Sequence, residues 1–324
     1  MKRRVTVVVP TYRRPELLGR CLAALAAQDL AAADYEVMVA DDAASEATRQ
    51  QVEAFAGQAW PHFYYVPFTG RHGPAAARNA GARLARGAIL AFTDDDCVPE
   101  RNWLSAGLGA FEENPQAVAA TGRVIVPLPE IPTDYERDAA GLERAEFVTA
   151  NCFCRREVFE ALGGFDERFS AAWREDSDLH FALLKFGGEV VRAAKAVVVH
   201  PVRPAPWGVS LRQQRKSLFD ALLYKKHPAL YRQRIRPGPP CDYYAIVGAL
   251  GIASGAALAG RPVWALAAAG AWALLTARFC ARRLRGTSWA PRHLAEMVVT
   301  SGLIPPLSVF WRLYGAAKFR VLFF

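Results

Sequence analysis

The first hundred residues alternate short apolar runs with segments of helical spacing, and this alternation restricts the fold more than any other feature. The run "RVTVVVP" is followed by "PELLGRCLAALAAQ", in which Pro15 stands near a helix start and apolar residues recur at helical spacing. The pattern returns as strand "YEVMVADD", helix "SEATRQQVEAFAG", strand "HFYYVP", helix "GPAAARNAGARLA" and strand "AILAFTDDD". Continuous apolar strands separated by helices predict an α/β fold with a mostly parallel sheet covered on both faces.

Polar side chains gather where these predicted strands end. Thr11 and Tyr12 follow the first strand, Asp41 and Asp42 close the second, and Asp94 to Asp96 follow the fourth. In an open α/β sheet, ligands bind beyond the carboxyl ends of the strands. The sequence therefore predicts a binding site at this edge of the sheet.

Three consecutive aspartates after a buried strand repel one another, and each prefers water to a position beside a core strand. A hard divalent cation held by carboxylate oxygens relieves this repulsion, and such ions usually keep positions for substrate phosphates. We therefore expect Mg²⁺ or Mn²⁺ with a diphosphate at Asp94 to Asp96. The alternative is an ordinary solvated turn. For Asp41 and Asp42 the alternative is helix N-capping, for which Ser45 is also suited.

Three further positions carry side chains suited to chemistry. Arg78 lies on a predicted helix of small residues, where it either neutralises a phosphate or is a surface arginine. "WREDSDLHFAL" places Glu175, Asp176 and Asp178 in one helical turn, which suits either the helix macrodipole or a general base. His200, at a predicted strand end, is either a metal or phosphate ligand or a structural histidine.

The segment from Pro115 to His200 is less regular. We expect a strand in "AVAATGRVIVPLP", a variable loop from Ile131 to Arg144, and a strand, helix and Gly-Gly turn in "EFVTANCFCRREVFEALGGFDERF". "EVVRAAKAVVVHP" reads as a hairpin or strand pair that ends at His200.

Charge is distributed unevenly along the chain. Up to His200 there are 22 Lys and Arg against 28 Asp and Glu, and after it 18 against 3. The second part is also strongly apolar, which suits the anionic cytoplasmic face of a membrane better than nucleic acid. We expect no nucleic-acid partner. The six cysteines include no Cys-x-x-Cys pair, which favours reduced thiols, and "MKRRVTVVVPTY" does not look like a signal peptide.

Two apolar runs, Tyr243 to Ala259 and Val263 to Phe279, are each about 26 Å long as helices, which is within the usual range for membrane spans. Arginines precede and follow the pair, so both ends are expected on the cytoplasmic side: Arg232, Arg234, Arg236, Arg282, Arg283 and Arg285. A buried helical hairpin is the alternative. A third stretch, Leu294 to Trp311, contains Pro305 and Pro306 and is expected to be interfacial or re-entrant, with a kinked membrane span as the alternative.

In this order, "VVVPTYRRPELLGRCLAAL", "VADDAASEAT", "AAARNAGARLARGAILAFTDDDCVP", "GGFDERF" and "EDSDL" resemble the family 2 glycosyltransferases, inverting enzymes of the GT-A fold. The resemblance implies that Pro10, Thr11, Tyr12 and Asp42 hold the nucleoside and that Arg78 supports the nucleotide sugar. It further implies that Asp94 and Asp96 form an Asp-x-Asp metal motif, a role in which Asp95 is able to share, and that Asp94 and Asp95 contact the nucleotide sugar. Asp176 is implied as the catalytic base.

The sequence departs from the family pattern at two places. Ala43-Ala44-Ser45 replaces the common Gly-Ser after the acidic pair, and Arg174 stands where glycine is frequent before Glu175. Processive members carry a Gln-x-x-Arg-Trp motif, and "LRQQRKSLF" has no tryptophan in register. We therefore expect transfer of one sugar per encounter.

This resemblance and the apolar C-terminal part together predict a membrane-anchored glycosyltransferase. It is expected to move a sugar from a nucleotide sugar, which we expect to be UDP-linked, to a lipid or lipid-linked saccharide. The predicted division is a GT-A domain over 1–204, basic interface helices over 205–240, a transmembrane hairpin over 241–281 and an apolar interfacial segment over 282–324. The alternatives are a nucleotidyltransferase acting on sugar phosphates and a non-catalytic membrane scaffold. Self-association through the membrane segments is left open.

Overall fold

A computed structural model describes residues 3–57, 62–69 and 72–323, and the chain divides into two compact units. Unit 1 comprises residues 1–127 and 140–202, and unit 2 comprises residues 128–139 and 203–324. The strands all lie in unit 1: β1 Val5–Thr11, β2 Tyr35–Asp41, β3 His62–Pro67, β4 Ile89–Phe92, β5 Val98–Pro99, β6 Ala117–Ile125, β7 Cys152–Arg155 and β8 Glu189–Val199.

Helices occur in both units. The α-helices are α1 Pro15–Ala26, α2 Glu46–Ala56, α3 Pro74–Ala82, α4 Trp103–Glu113, α5 Asp134–Ala139, α6 Arg156–Ala161, α7 Glu175–Phe186, α8 Val209–Gln213, α9 Leu218–Lys226, α10 Pro228–Leu230, α11 Cys241–Leu258, α12 Pro262–Leu284 and α13 Pro291–Phe319. Short 3₁₀ turns cover Ala32–Asp34, Ala140–Arg144 and Gln214–Ser217, and a π-helical turn covers Tyr231–Ile235.

The sheet of unit 1 is mixed, with strand order β3-β2-β1-β4-β7-β6-β8-β5. Strands β3, β2, β1 and β4 are parallel, as the alternation of strands and helices predicts. β7 runs antiparallel to both β4 and β6, and β5 runs antiparallel to β8. The GT-A expectation of a mostly parallel sheet with helices is confirmed.

Apolar side chains pack on both faces of the sheet, since successive residues of a strand point in opposite directions. Val7 and Val9 of β1 pack with Leu18 and Leu22 of α1, whereas Val8 packs on the other face in a separate apolar cluster. That second cluster also contains these buried side chains: Leu90, Phe92, Phe159, Phe165 and Leu179. Complete burial of such a side chain stabilises the fold by roughly 1.5–3 kcal/mol.

Two expectations for unit 1 were wrong. The segment "EVVRAAKAVVVHP" is not a hairpin but one strand, β8, which pairs parallel to β6 with irregularities near Gly122. The expected loop from Ile131 to Arg144 contains α5 and a 3₁₀ turn, and its first part belongs to unit 2. Neither outcome follows from local pattern, since each depends on partners distant in sequence.

Unit 2 contains three helices that are long and apolar enough to cross a membrane, α11, α12 and α13. The first two coincide with the predicted spans. α13 continues through Pro305 and Pro306, so the stretch expected to be interfacial or re-entrant is part of one helix of 29 residues. Arg283 at the end of α12 donates from Nε and Nη2 to Asp134 of α5, at 3.0 and 2.8 Å.

Candidate active site

The register of the sheet brings the polar strand ends to one edge. Thr11 at the end of β1 pairs with Asp41 at the end of β2, and Val8 pairs with Phe92, the last residue of β4. The chain beyond Phe92 therefore reaches the level of Thr11 after two or three residues. The Asp42 amide also donates to the Thr11 carbonyl at 3.0 Å.

Each of the three consecutive aspartates meets a different basic side chain. Asp94 Oδ1 accepts from Arg78 Nη2 at 2.6 Å, and Asp95 Oδ1 accepts from Arg14 Nη1 at 3.1 Å. Asp96 Oδ1 lies 3.6 Å from His200 Nε2, which is a charge pair only when the imidazole is protonated. The mutual repulsion of the aspartates is thus relieved in part by the protein itself.

Asp94, Asp96, Cys97 and His200 form a possible metal site, because one ligand atom from each lies within 4.8 Å of the others. His200 reaches this group because β5, just after Cys97, pairs with the end of β8 through Val98 and Val199. Carboxylate oxygens are the ligands that Mg²⁺ and Mn²⁺ prefer, and imidazole is compatible with a transition metal. The residues therefore fit a divalent cation.

Cys97 is the poorest ligand of this group. Its thiol is buried, and burial, reinforced by the charges of Asp94 and Asp96, raises its pKa well above the ordinary cysteine value. Mg²⁺ and Mn²⁺ also prefer oxygen ligands, whereas the sulfur of cysteine is a soft ligand that suits other metals. The donors suited to the cation are therefore Asp94, Asp96 and His200, the three residues predicted from the sequence.

Arg78 joins two acidic segments that are far apart in sequence. Besides Asp94, its guanidinium donates from Nη1 to Glu175 Oε1 at 3.2 Å, and both side chains are almost completely buried. Among the described residues, neither Arg78 Nε nor Glu175 Oε2 has a hydrogen-bond partner. Arg78 is therefore not a surface arginine, and it brings the first turn of α7 to the edge that carries Asp94.

Asp176 follows Glu175 in the first turn of α7. Its Oδ1 atom accepts from the Ser177 amide at 2.6 Å and from the Ser177 hydroxyl at 3.2 Å. Burial raises the pKa of Asp176, and burial together with the Asp176 charge raises the pKa of Glu175. Residue Asp176 as a whole has intermediate exposure, although its carboxyl group lies in a buried environment. A carboxylate with a raised pKa is a suitable proton acceptor.

The residue before these acids has an unusual backbone. Arg174 has φ = 75°, in the left-handed region, and its guanidinium lies 4.6 Å from the centre of the Trp173 ring. This is the position at which family members frequently have glycine, and the backbone conformation is the one that glycine favours. The substitution therefore keeps the glycine-like geometry at the start of α7.

Asp41 and Asp42 have different roles. Asp41 accepts from the amides of Ala43 and Ser45, at 2.9 and 2.7 Å, and so organises the turn before α2. Ser45 precedes α2 without a side-chain capping bond. The buried Asp42 carboxylate accepts the amides of His72 and Gly73, at 2.9 and 2.8 Å. Of the acidic pair, Asp41 thus performs the local structural task.

Gly73 is required by its surroundings. It has φ = 97°, and a Cβ atom there would lie 2.5 Å from the Ser170 carbonyl oxygen. The segment held by Asp42 therefore packs directly against the loop that leads to α7.

The remaining predicted nucleoside residues lie at the end of β1. Pro10 pairs with Ala40 inside the sheet, and Tyr12 is partly exposed with the Arg13 guanidinium 5.3 Å from its ring centre. The sequence did not single out Arg14. Its only local signal is its position directly before Pro15, at the start of a helix that begins at the site.

The comparisons with known proteins agree with this geometry. The family model "Glycosyl transferase family 2" matches residues 6–163. Glycosyltransferase AglE of Haloferax volcanii is 28% identical over 65% of this chain and 70% of its own length. Validoxylamine A glucosyltransferase of Streptomyces hygroscopicus subsp. jinggangensis is 27% identical over 70% of this chain and 61% of its own length. The chain thus spans less than two thirds of that second relative.

Solved structures share the fold. The mannosyltransferase PcManGT from Pyrobaculum calidifontis, in complex with GDP-Man and Mn²⁺, has a TM-score of 0.61 at 22% identity, covering 97% of this chain and 88% of the other. S. aureus TarS 1–349, in complex with UDP, has a TM-score of 0.52 at 18% identity, covering 96% and 92%. The family model and the relatives, together with this shared fold, support a glycosyltransferase over the nucleotidyltransferase and scaffold alternatives.

Proposed function

This chain belongs to the family 2 glycosyltransferases, which use nucleotide-sugar donors, and we propose that it is a metal-dependent, inverting enzyme with Asp176 as the general base. One observation carries this proposal. The guanidinium of Arg78 contacts Asp94 at 2.6 Å and Glu175 at 3.2 Å, so the aspartates after β4 and the acids that open α7 form one cluster.

Asp176 removes the proton from the acceptor hydroxyl while that oxygen attacks the anomeric carbon of the donor. The bond from the anomeric carbon to the diphosphate oxygen breaks in the same displacement, and the configuration is therefore inverted. Asp94, Asp96 and His200 would hold Mg²⁺ or Mn²⁺, whose positive charge would offset negative charge on the departing nucleoside diphosphate. Arg78 keeps Asp94 and Glu175 in place by donating a hydrogen bond to each.

The donor is proposed to be a UDP-sugar whose nucleoside lies against Pro10, Thr11, Tyr12 and Asp42. The structural neighbours include one complex with UDP and one with GDP-Man, so a donor panel should include both nucleotides. The absence of the Gln-x-x-Arg-Trp motif supports transfer of one sugar per encounter.

The acceptor is proposed to be a lipid or a lipid-linked saccharide, with unit 2 in the inner membrane and the catalytic domain in the cytoplasm. Three helices of sufficient length and hydropathy support membrane association. The arginines that flank α11 and α12 support cytoplasmic ends for this pair. The four-part division at residues 204, 240 and 281 is retained as part of this proposal.

The test incubates the purified full-length protein and native lipids with a panel of UDP- and GDP-sugars, with Mn²⁺, Mg²⁺ or EDTA. We expect release of nucleoside diphosphate from one donor, dependent on the metal and on the lipid fraction. Full activity in EDTA would contradict the metal site, and full activity with water-soluble acceptors alone would contradict the lipid acceptor.

A further inference from the structure

Asp95 is oriented differently from its two neighbours. Asp94 and Asp96 each contribute an oxygen to the possible metal site, whereas the buried Asp95 side chain lies outside that group. Its Oδ2 atom accepts from Thr11 Oγ1 at 2.8 Å, and its Oδ1 atom accepts from Arg14 Nη1 at 3.1 Å. Both oxygens are therefore engaged by the last residue of β1 and by the segment that follows it.

A buried carboxylate without a cationic partner is strongly destabilising. Arg14 supplies that partner, and its side chain remains 38% exposed, so the guanidinium reaches Asp95 from the surface. Because Arg14 follows β1 and Asp95 follows the adjacent strand β4, their contact ties two neighbouring strand ends together. The Thr11 hydroxyl makes a second tie to the same carboxylate.

We infer that Arg14 is a positioning residue for the cation site, and that it acts through Asp95. By holding the Asp95 carboxylate, Arg14 and Thr11 fix the backbone of residues 94–96 in the conformation that turns Asp94 and Asp96 toward His200 and the cation. This inference rests on the proposed metal dependence, and it replaces the sequence-based expectation that Asp95 contacts the donor.

The expected size of the effect follows from the behaviour of groups that orient metal ligands. Loss of such a group typically weakens metal binding 10- to 100-fold. The Arg14–Asp95 contact uses one nitrogen and one oxygen, so a lysine ammonium can replace it in part. A role in orientation thus predicts rescue by Arg14→Lys.

The experiment titrates Mn²⁺ alone into the full-length protein without donor and measures free Mn²⁺ by electron paramagnetic resonance. Arg14→Gln is expected to weaken Mn²⁺ binding about 10- to 100-fold, and Arg14→Lys to recover most of it. Arg20→Gln, on the exposed side of α1, removes the same charge and is expected to bind as the wild type does. At saturating Mn²⁺, Arg14→Gln is expected to regain most of its kcat.

Thr11→Val provides a second variant if Arg14→Gln does not fold, and it is expected to weaken Mn²⁺ binding several-fold. Wild-type Mn²⁺ affinity in both Arg14→Gln and Thr11→Val would overturn the inference. Wild-type Mn²⁺ affinity with weakened donor binding in Arg14→Gln would show that Arg14 contacts the donor directly. A wild-type protein that binds no Mn²⁺ would instead contradict the proposed metal dependence itself.

Discussion

The two units distribute polar and apolar side chains in opposite ways. In unit 1 the strands bury their valines and leucines, and carboxylates gather at one edge of the sheet. In unit 2, α13 buries a polar stripe and exposes an apolar surface. The buried stripe includes Thr300, Ser301, Ser308 and Arg312, and the exposed surface includes Val298, Val299, Leu303, Phe310 and Leu313. The distribution in unit 1 is therefore typical of a domain surrounded by water, and the distribution in unit 2 is typical of helices surrounded by an apolar environment.

The charges follow the same division. The acidic excess lies before His200, where the catalytic carboxylates are, and the basic excess lies after it. A basic, outwardly apolar unit suits an anionic membrane surface. This difference agrees with the proposal that unit 1 carries the chemistry and that unit 2 associates with a membrane.

The comparison is tested most strongly by Arg283, whose buried guanidinium pairs with Asp134 and also donates to the Thr300 and Ser301 hydroxyls. Arg283→Met leaves Asp134 paired with the more exposed Arg137, and removal of the buried member of such a pair costs up to about 3–5 kcal/mol. Denaturant unfolding in detergent should show this decrease. Arg282→Gln is the control, because Arg282 forms an exposed pair with Asp242 that is worth at most about 1 kcal/mol. An equal loss of stability in the two variants would contradict the description of unit 2 as burying polar side chains and exposing apolar ones.

A second test introduces the same positive charge at one exposed leucine in each unit. Leu303 in α13 is 46% exposed and Leu84 in unit 1 is 54% exposed. If α13 faces lipid, Leu303→Arg costs roughly 2.5–3.5 kcal/mol near the helix centre and lowers the membrane-inserted fraction. Leu84→Arg should change stability by no more than about 0.5 kcal/mol. A neutral Leu303→Arg variant would indicate that α13 is exposed to water.

The pH dependence tests the carboxylates of unit 1. Because burial raises the pKa of Asp176 above 3.8, the base is lost by protonation at a higher pH than an ordinary aspartate. We expect kcat/KM to fall about tenfold per pH unit below that raised pKa. The folded state also holds protons at Glu175 and Asp176 more tightly than the unfolded chain does, so stability decreases as pH rises through these values. An acid limb centred at or below 3.8 would contradict this description of the base.

The smallest expected effect concerns the turn that replaces the family's glycine. Ala44 has φ = 48°, and a left-handed conformation costs a non-glycine residue roughly 1–2 kcal/mol. Ala44→Gly should therefore raise the free energy of unfolding by about 1 kcal/mol, less the entropy that glycine adds to the unfolded chain. Ala43→Gly, the adjacent control, should give no gain. A loss of stability in Ala44→Gly would show that the left-handed backbone is not strained.

Local pattern predicted the parallel half of the sheet, its polar edge and the first two apolar helices. In those regions β1 pairs with β2 and β2 pairs with β3, which are consecutive strands, and burial determines the composition of each element. The reversal of β7 between β4 and β6 was not predictable, because strand direction depends on pairing between distant segments. For the same reason β8 was misread as a hairpin.

The residue types of the candidate site could be predicted from the sequence, but the contacts between these residues could not. The sequence identified Asp94, Asp96, Arg78 and His200, yet gave no reason for Asp95 to turn inward. That orientation depends on Thr11 and Arg14, which lie more than 80 residues away along the chain. The course of α13 was also hidden, since Pro305 and Pro306 remove two backbone donors and ordinarily end a helix.

The central claim is that the aspartates after β4 and the first turn of α7 form one active site with Asp176 as its base. The most direct test compares Asp176→Asn with Asp34→Asn, the same change beside the amino-terminal end of β2, by measuring donor binding calorimetrically and sugar transfer in parallel. We predict that Asp176→Asn lowers kcat about 10²- to 10⁴-fold with donor affinity close to that of the wild type, while Asp34→Asn is unaffected. Retained transfer in Asp176→Asn, or loss of donor binding with the fold intact, would contradict the claim.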